Sequence, residues 1–133
     1  MDKTMRTILV AFLATLAVAA LAADKIRVEL NGKSLDLKTA PILRDGEVWV
    51  PVKEITVALG GHLQIIKPNK LLGVCLGDKC TPLKVGRDAV VVKGTAMASA
   101  KKMVDALEAK MKWDKRKKLL RLSVDRPLPS EKH

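Results

Sequence analysis

The 133-residue sequence has no tyrosine, one phenylalanine and two tryptophans. Proteins that bind single-stranded nucleic acid stack its bases on aromatic side chains, so this scarcity argues against a nucleic-acid partner. Histidine is equally scarce, because only His62 and His133 are present. Two histidines so placed complete no Ser-His-Asp or Cys-His set, and the sequence has no glycine-rich phosphate loop. We therefore expect a protein that is not an enzyme and that holds no cofactor.

Long apolar runs are limited to one segment near the N-terminus. Residues Ile8–Leu21 form a run of 14 residues, which is shorter than the roughly 20 that span a bilayer. Lys3 and Arg6 precede this run, and the small-x-small motif Ala20-Leu21-Ala22 ends it. This pattern predicts a signal peptide over residues 1–23 and a periplasmic, extracellular or cell-surface location. The alternative is an uncleaved anchor; after cleavage, no stable membrane span is expected.

Acidic residues are outnumbered by basic ones, 14 to 25, which gives a net charge of +11. The predicted signal segment carries a net charge of +1, so about +10 remains on the mature chain. Such a charge favours an anionic cell-envelope polymer or an acidic envelope protein as partner. The alternative is that the charge only keeps a small exported protein soluble.

Turn-forming residues divide the mature chain into short elements. Asn31-Gly32 lies between two alternating runs and predicts a β-hairpin, because both residues tolerate positive φ. Val48–Val50 alternates as a strand, and Pro51, which lacks an N–H, is predicted to be the first residue of a short helix. Gly60 and Gly61 are expected to end that helix.

A repeat is visible once these elements are aligned. Residues 59–72 lie without gaps on residues 107–120, at an offset of 48 positions. We predict an α+β fold in which two degenerate β-hairpin–strand–helix–strand units, at about 26–73 and 74–124, pack as one small domain (24–125). A disordered tail is predicted over 126–133.

The second unit departs from the first at its strand-to-helix joint. Ala96-Met97-Ala98 replaces Val-Trp-Val, and Ser99 replaces the proline. Because alanine and methionine favour helix, we expect this helix to begin earlier, with Thr95 as its N-cap.

Three segments stand out: KIRVELNGKSLDL, APILRDGEVWVPVKEITVALGG and KMKWDKRKKLLRLSV. Together they resemble the domain named after the N-terminus of copper amine oxidases, also called the stalk domain. The resemblance implies an add-on module of secreted and cell-surface proteins rather than the catalytic part of the oxidase. The sequence agrees with this. The oxidase cofactor is made from a tyrosine, and this chain has none. The oxidase copper needs three histidines, and this chain has two. In one departure, the Trp-Asp element occurs only in the second unit, and Ile65-Ile66 takes its place in the first.

Cys75 and Cys80 are the two cysteines of the chain. A two-residue turn at Gly77-Asp78 would place them opposite each other on neighbouring strands, within disulfide range. Export to an oxidising compartment favours a structural disulfide. The alternatives are a redox-active pair and a metal-handling pair.

The segment from Lys110 to Arg121 holds seven basic residues in twelve. It predicts a hairpin whose charges could bind an anionic polymer or a partner protein, although a simply solvated turn would show the same pattern. Trp113 could stack on a sugar or cap the core, and Trp49 could be exposed or half-covered. A homo-oligomer formed through an exposed strand edge is a further possibility. The candidate binding residues are Lys110, Lys112, Trp113, Lys115, Arg116, Lys117, Lys118 and Trp49.

Overall fold

The computed structural model describes residues 25–128, a small mixed domain of eleven strands and two short helices that is mostly sheet. The predicted signal peptide and residues 129–133 lie outside the described residues. The elements are β1 (Arg27–Leu30), β2 (Lys33–Leu35), β3 (Ile42–Arg44), β4 (Glu47–Pro51), α1 (Val52–Ala58), β5 (His62–Lys67), β6 (Leu71–Leu76), β7 (Lys79–Lys84), β8 (Ala89–Val92), β9 (Thr95–Ser99), α2 (Ala100–Ala106), β10 (Lys110–Asp114) and β11 (Leu119–Ser123).

The strands of the described part form three sheets. The terminal sheet has the order β10-β11-β1-β2 and joins the first strand to the last, because β1 pairs in parallel with β11. The helix sheet has the order β3-β4-β9-β8, and its two middle strands lead directly into α1 and α2. The disulfide sheet has the order β5-β6-β7.

The first hairpin forms where the sequence predicts it. Asn31 and Gly32 take φ values of 50° and 83°, as a two-residue hairpin turn requires. The Asn31 Oδ1 atom also accepts a hydrogen bond of 3.0 Å from the N–H of Val124. The turn therefore also fixes the chain segment that follows β11.

The joint between β4 and α1 lies one residue later than predicted. Pro51, with φ −67° and ψ 122°, is the last residue of β4 and the N-cap, so the first helical residue is Val52. An extended N-cap suits proline, whose φ is fixed near −65°. Gly60, at φ +85°, ends the helix as predicted. A β-carbon on Gly61 would lie 2.5 Å from the carbonyl oxygen of Cys75, so only glycine fits there.

The predicted early start of the second helix is wrong. Thr95 is the first residue of strand β9, and the helix begins only at Ala100. Ser99 is its N-cap, with the hydroxyl accepting a hydrogen bond of 3.2 Å from the N–H of Lys102. Strand β9 pairs with β4 on one side and β8 on the other, and these two ladders outweigh the helix propensity of Ala96-Met97-Ala98.

The core lies between the sheets and the inner faces of the helices. Leu59 and Leu107, the C-cap residues of the two helices, are both fully buried. The buried hydroxyl of Thr56 donates a hydrogen bond of 2.6 Å to the carbonyl of Val52 and is thereby satisfied within α1. The terminal sheet contributes one apolar face to this core, formed by Val28, Leu30, Leu120 and Leu122.

The start of the predicted disordered tail is packed against the domain, so that prediction is wrong for residues 126–128. Arg126 Nη2 donates hydrogen bonds to the carbonyls of Leu59 (2.6 Å) and Leu107 (2.8 Å). Leu128 is only 1% exposed. The positive guanidinium complements the negative ends of both helix dipoles, which gives this segment a defined position.

Candidate functional site

The β10–β11 hairpin gathers basic side chains on one face of the terminal sheet. Lys112 lies opposite Arg121 in the strand register, and Lys110 lies two residues before Lys112. Side chains alternate across a sheet, so these three share a face, whereas Leu120 and Leu122 face the core. We call the surface formed by Lys110, Lys112 and Arg121 the basic face.

The basic face forms part of an open depression of about 500 Å³. Its one carboxylate is that of Glu29 on β1, which lies beside Arg121 with 3.6 Å between Oε1 and Nε. Because both side chains are partly exposed, this pair contributes little to stability. The depression can therefore offer cationic groups to a ligand without breaking a strong ion pair.

The hairpin turn extends the same positive charge beyond the sheet. Lys115, Arg116 and Lys117 are exposed at its tip, and Lys118, with φ 50°, leads into β11. Asp114 holds the turn, because its Oδ1 accepts a hydrogen bond of 3.0 Å from the N–H of Lys117. The six predicted basic candidates thus lie on one hairpin.

The two tryptophans do not join them. Trp113 alternates with Lys112 along β10, so its half-buried ring packs against the core on the opposite face. Trp49 lies in the helix sheet, where the guanidinium of Arg44 stacks 5.1 Å from its ring centroid. Its indole nitrogen is buried and has no hydrogen-bond partner. Neither ring is available for stacking beside the basic face.

A family model for the copper amine oxidase N-terminal domain matches residues 29–104, more than half of the chain. The chain belongs to this family. No curated protein and no solved structure was found to match it. The family model describes the N-terminal domain of the oxidases, and membership in this family suggests a non-catalytic domain.

This copper amine oxidase N-terminal domain continues beyond the matched residues. The match ends within α2, yet β1 pairs with β11, and β11 pairs with β10. The terminal sheet therefore needs residues 110–123, and these include all three residues of the basic face. The charged hairpin is thus a part of this chain that the family match does not cover.

The cysteines of this family member face each other as predicted. Cys75 and Cys80 are register partners on β6 and β7 and form a disulfide, with their Cα atoms 4.0 Å apart. Cys75 is fully buried, whereas Cys80 is exposed on an edge strand. Within residues 25–128, no three His, Cys, Asp or Glu side chains are grouped so that they could hold a metal ion. His62 is exposed at the start of β5.

Sequence reasoning missed an ion-pair cluster centred on Asp88, which lies between β7 and β8. Asp88, which is 7% exposed, accepts a hydrogen bond of 3.0 Å from the N–H of Lys84 and pairs with Arg87 and Lys102. Hydrogen bonds from Arg87, Lys102 and the Lys84 N–H hold the pKa of Asp88 well below its usual range. The cluster therefore fastens the end of β7 to α2.

A second carboxylate, that of Glu54, fastens α1. Glu54 accepts hydrogen bonds from the N–H groups of Lys38 (2.6 Å) and Thr39 (3.1 Å), which ties α1 to the loop before β3.

None of the helices in the described part is long and apolar enough to cross a membrane.

Proposed function

We propose that this protein is a non-catalytic, exported module that holds an anionic cell-envelope polymer on its basic face and the adjoining turn. The observation that carries the proposal is the side-by-side placement of Lys110, Lys112 and Arg121 on a solvent-facing sheet surface. These side chains contribute nothing to the core, so the fold does not account for their charge.

A linear polymer fits this surface better than a compact anion. Residues two apart on a strand are about 7 Å apart, and neighbouring strands are about 5 Å apart. Lys110, Lys112 and the turn therefore form a row of charges along β10, with Arg121 beside it. A chain with regularly spaced phosphates, sulfates or carboxylates could contact several of these at once. Since the face is open, the binding should weaken with salt.

We also propose that the domain is a two-unit repeat, which would explain how so short a chain builds three sheets. Three relations support it. Helices α1 and α2 lie 48 residues apart. The β4·β9 register pairs Val50 with Ala98, also 48 apart, and is symmetric about that pair. Arg126 binds carbonyls at matching positions of the two helices. Superposition of residues 42–76 on 90–124 tests this, and a poor fit of the two helices would contradict it.

Binding to purified polyanions tests the polymer proposal. The mature chain should be retained on immobilised dextran sulfate at low salt, released at high salt, and not retained on uncharged dextran. Lys110→Gln/Lys112→Gln should weaken this binding at least tenfold. The matched control is Lys79→Gln/Lys84→Gln, which removes two exposed lysines from β7 and should change binding less than twofold. No retention, or equal losses in both variants, would refute the proposal.

The alternative function, thiol–disulfide exchange by Cys75 and Cys80, has less support. An attacking thiolate can reach only the exposed Cys80, and Cys75 would then leave as a thiolate in an apolar environment. Burial raises a thiol pKa, which makes such a leaving group poor. We therefore assign the disulfide a structural role in fixing the β6–β7 register.

A further inference from the structure

Two concavities of the domain are lined by residues at matching positions. The first lies between the disulfide sheet and the β8–β9 hairpin, and the second lies between the terminal sheet and the β3–β4 hairpin. The matching pairs, each 48 residues apart, are Leu63 and Met111, Ile65 and Trp113, Lys53 and Lys101, Gly94 and Gly46, Thr95 and Glu47, and Ala96 and Val48.

The two concavities differ in how far they are filled. In the second, the half-buried ring of Trp113 packs against the core, and a cavity of about 140 Å³ remains. In the first, Ile65 stands at the matching position, is 65% exposed, and leaves a cavity of about 410 Å³. Val91, also on its lining, is 51% exposed. We call this larger cavity the apolar groove.

The size and lining of the apolar groove are those of a ligand site. Pockets of roughly 300–1,000 Å³ with apolar walls and a few polar groups are typical of such sites. Lys53 is the one charged residue among those that line it. Lys67 and Lys93 are exposed and directly precede the lining residues Pro68 and Gly94. The charge on the lining is therefore positive, and an occupant should combine an apolar body with negative charge.

We propose that the apolar groove binds an aromatic side chain carried by an extended, acidic segment of a partner protein. The matching concavity is largely filled by an indole of this chain, so we expect an aromatic ring to fill the apolar groove in the same way. This inference is independent of polymer binding by the basic face, which lies on a different sheet.

The neighbouring strand favours a protein segment as the occupant. Strand β8 is at an edge of the helix sheet and bears Val91, which lines the groove; at its first residue the edge already bridges Val85 to Ala89, and Val91 lies beyond that bridge. Its sequence, Ala-Val-Val-Val, has no lysine or proline to discourage another strand from pairing with it. An extended segment can add to such an edge by main-chain hydrogen bonds while one of its side chains enters the groove.

A peptide titration followed by methyl and amide NMR tests the proposal. The probe is the capped pentapeptide Glu-Asp-Trp-Asp-Glu, compared with Glu-Asp-Ala-Asp-Glu, added to the intact mature chain. We expect saturable shifts at Leu63, Ile65 and Val91, and at least tenfold weaker binding of the alanine peptide. Ile65→Trp, which reproduces the filled concavity, should reduce binding at least tenfold. Ile66→Trp is the matched control, because Ile66 is also exposed but does not line the groove; it should leave binding within twofold.

A second pair of variants keeps the test decisive if Ile65→Trp fails to fold. Val91→Asp places a negative charge at the mouth and should weaken binding at least tenfold, whereas Leu43→Asp, at the matching exposed position, should not. Equal binding of the two peptides, or shifts centred on the basic face, would overturn the proposal. Tighter binding of decanoate than of the tryptophan peptide would assign the groove to an acyl chain instead. Self-association abolished by Ile65→Trp would assign it to a second copy.

Discussion

Replacing Arg126 should destabilise the domain more than replacing any other arginine described here. Its guanidinium donates to the carbonyls of Leu59 and Leu107, the C-cap residues of the two helices, at 2.6 and 2.8 Å. A third contact, 3.4 Å to the exposed carbonyl of Glu108, can be replaced by water and is neglected. Hydrogen bonds to a charged group are worth roughly 1.5–3 kcal/mol each, and water will recover part of that in the variant. We expect Arg126→Ala to lower the free energy of unfolding by about 3 kcal/mol.

Thermal and urea unfolding followed by circular dichroism measure this effect. For a domain of about 100 residues, roughly 3 kcal/mol corresponds to a fall in Tm of more than 10 °C. Arg121→Ala is the matched control, because Arg121 is half-exposed and makes only a 3.6 Å ion pair with Glu29. That control should cost less than about 0.5 kcal/mol. If Arg126→Ala also costs less than about 0.5 kcal/mol, the helix ends are not held by this side chain and the reasoning is refuted.

Three further predictions concern single interactions. The pKa of Asp88 is lower in the folded than in the unfolded chain, so the ionised carboxylate stabilises the domain fully above pH ~3.9, and this stabilisation is lost as the pH falls through the folded-state pKa. The difference in the free energy of unfolding between wild type and Asp88→Asn, measured with urea, should therefore narrow from pH 7 towards pH 2. An unchanged difference would contradict a stabilising role for the ionised Asp88. Reducing the disulfide between Cys75 and Cys80, five residues apart, should cost about 2 kcal/mol by the loop-entropy estimate without unfolding the domain; a loss of all helical and sheet signal on reduction would show a larger role. Glu29→Gln should strengthen binding to dextran sulfate about threefold, because it removes the carboxylate beside Arg121; weaker binding would place the polymer elsewhere.

Local turn chemistry made much of the fold predictable. The Asn31-Gly32 turn and the helix end at Gly60 each depend on a backbone conformation that few residue types adopt, so the sequence shows them directly. The facing of Cys75 and Cys80 followed from counting residues on either side of a two-residue turn.

Long-range contacts explain where sequence reasoning failed. The Thr95–Ser99 segment has the composition of a helix and becomes a strand because β4 and β8 lie on either side of it. Arg126 looks like part of a solvated tail, since nothing nearby in the chain shows that two helix ends converge on it. The pairing of β9 with β4 and the contacts of Arg126 with Leu59 and Leu107 join residues far apart in the chain, which periodicity and propensity do not register.

The candidate site was predicted only in part for a related reason. Composition identified the basic segment, but strand alternation decides which of its residues share a face. This alternation places Trp113 on the opposite face of the sheet from Lys112, and it places Arg121 of β11 on the same face as Lys112. Once the turn is placed at residues 115–118, the same alternation could have been counted from the sequence alone.

Binding of the polymer by the β10–β11 hairpin can be followed residue by residue in an NMR titration. On adding short dextran sulfate at low salt, the largest amide shifts should fall at Lys110, Lys112 and Arg121 and along the turn at residues 115–117, and should disappear at high salt. Shifts spread evenly over all exposed lysines, or centred on β7, would contradict the account.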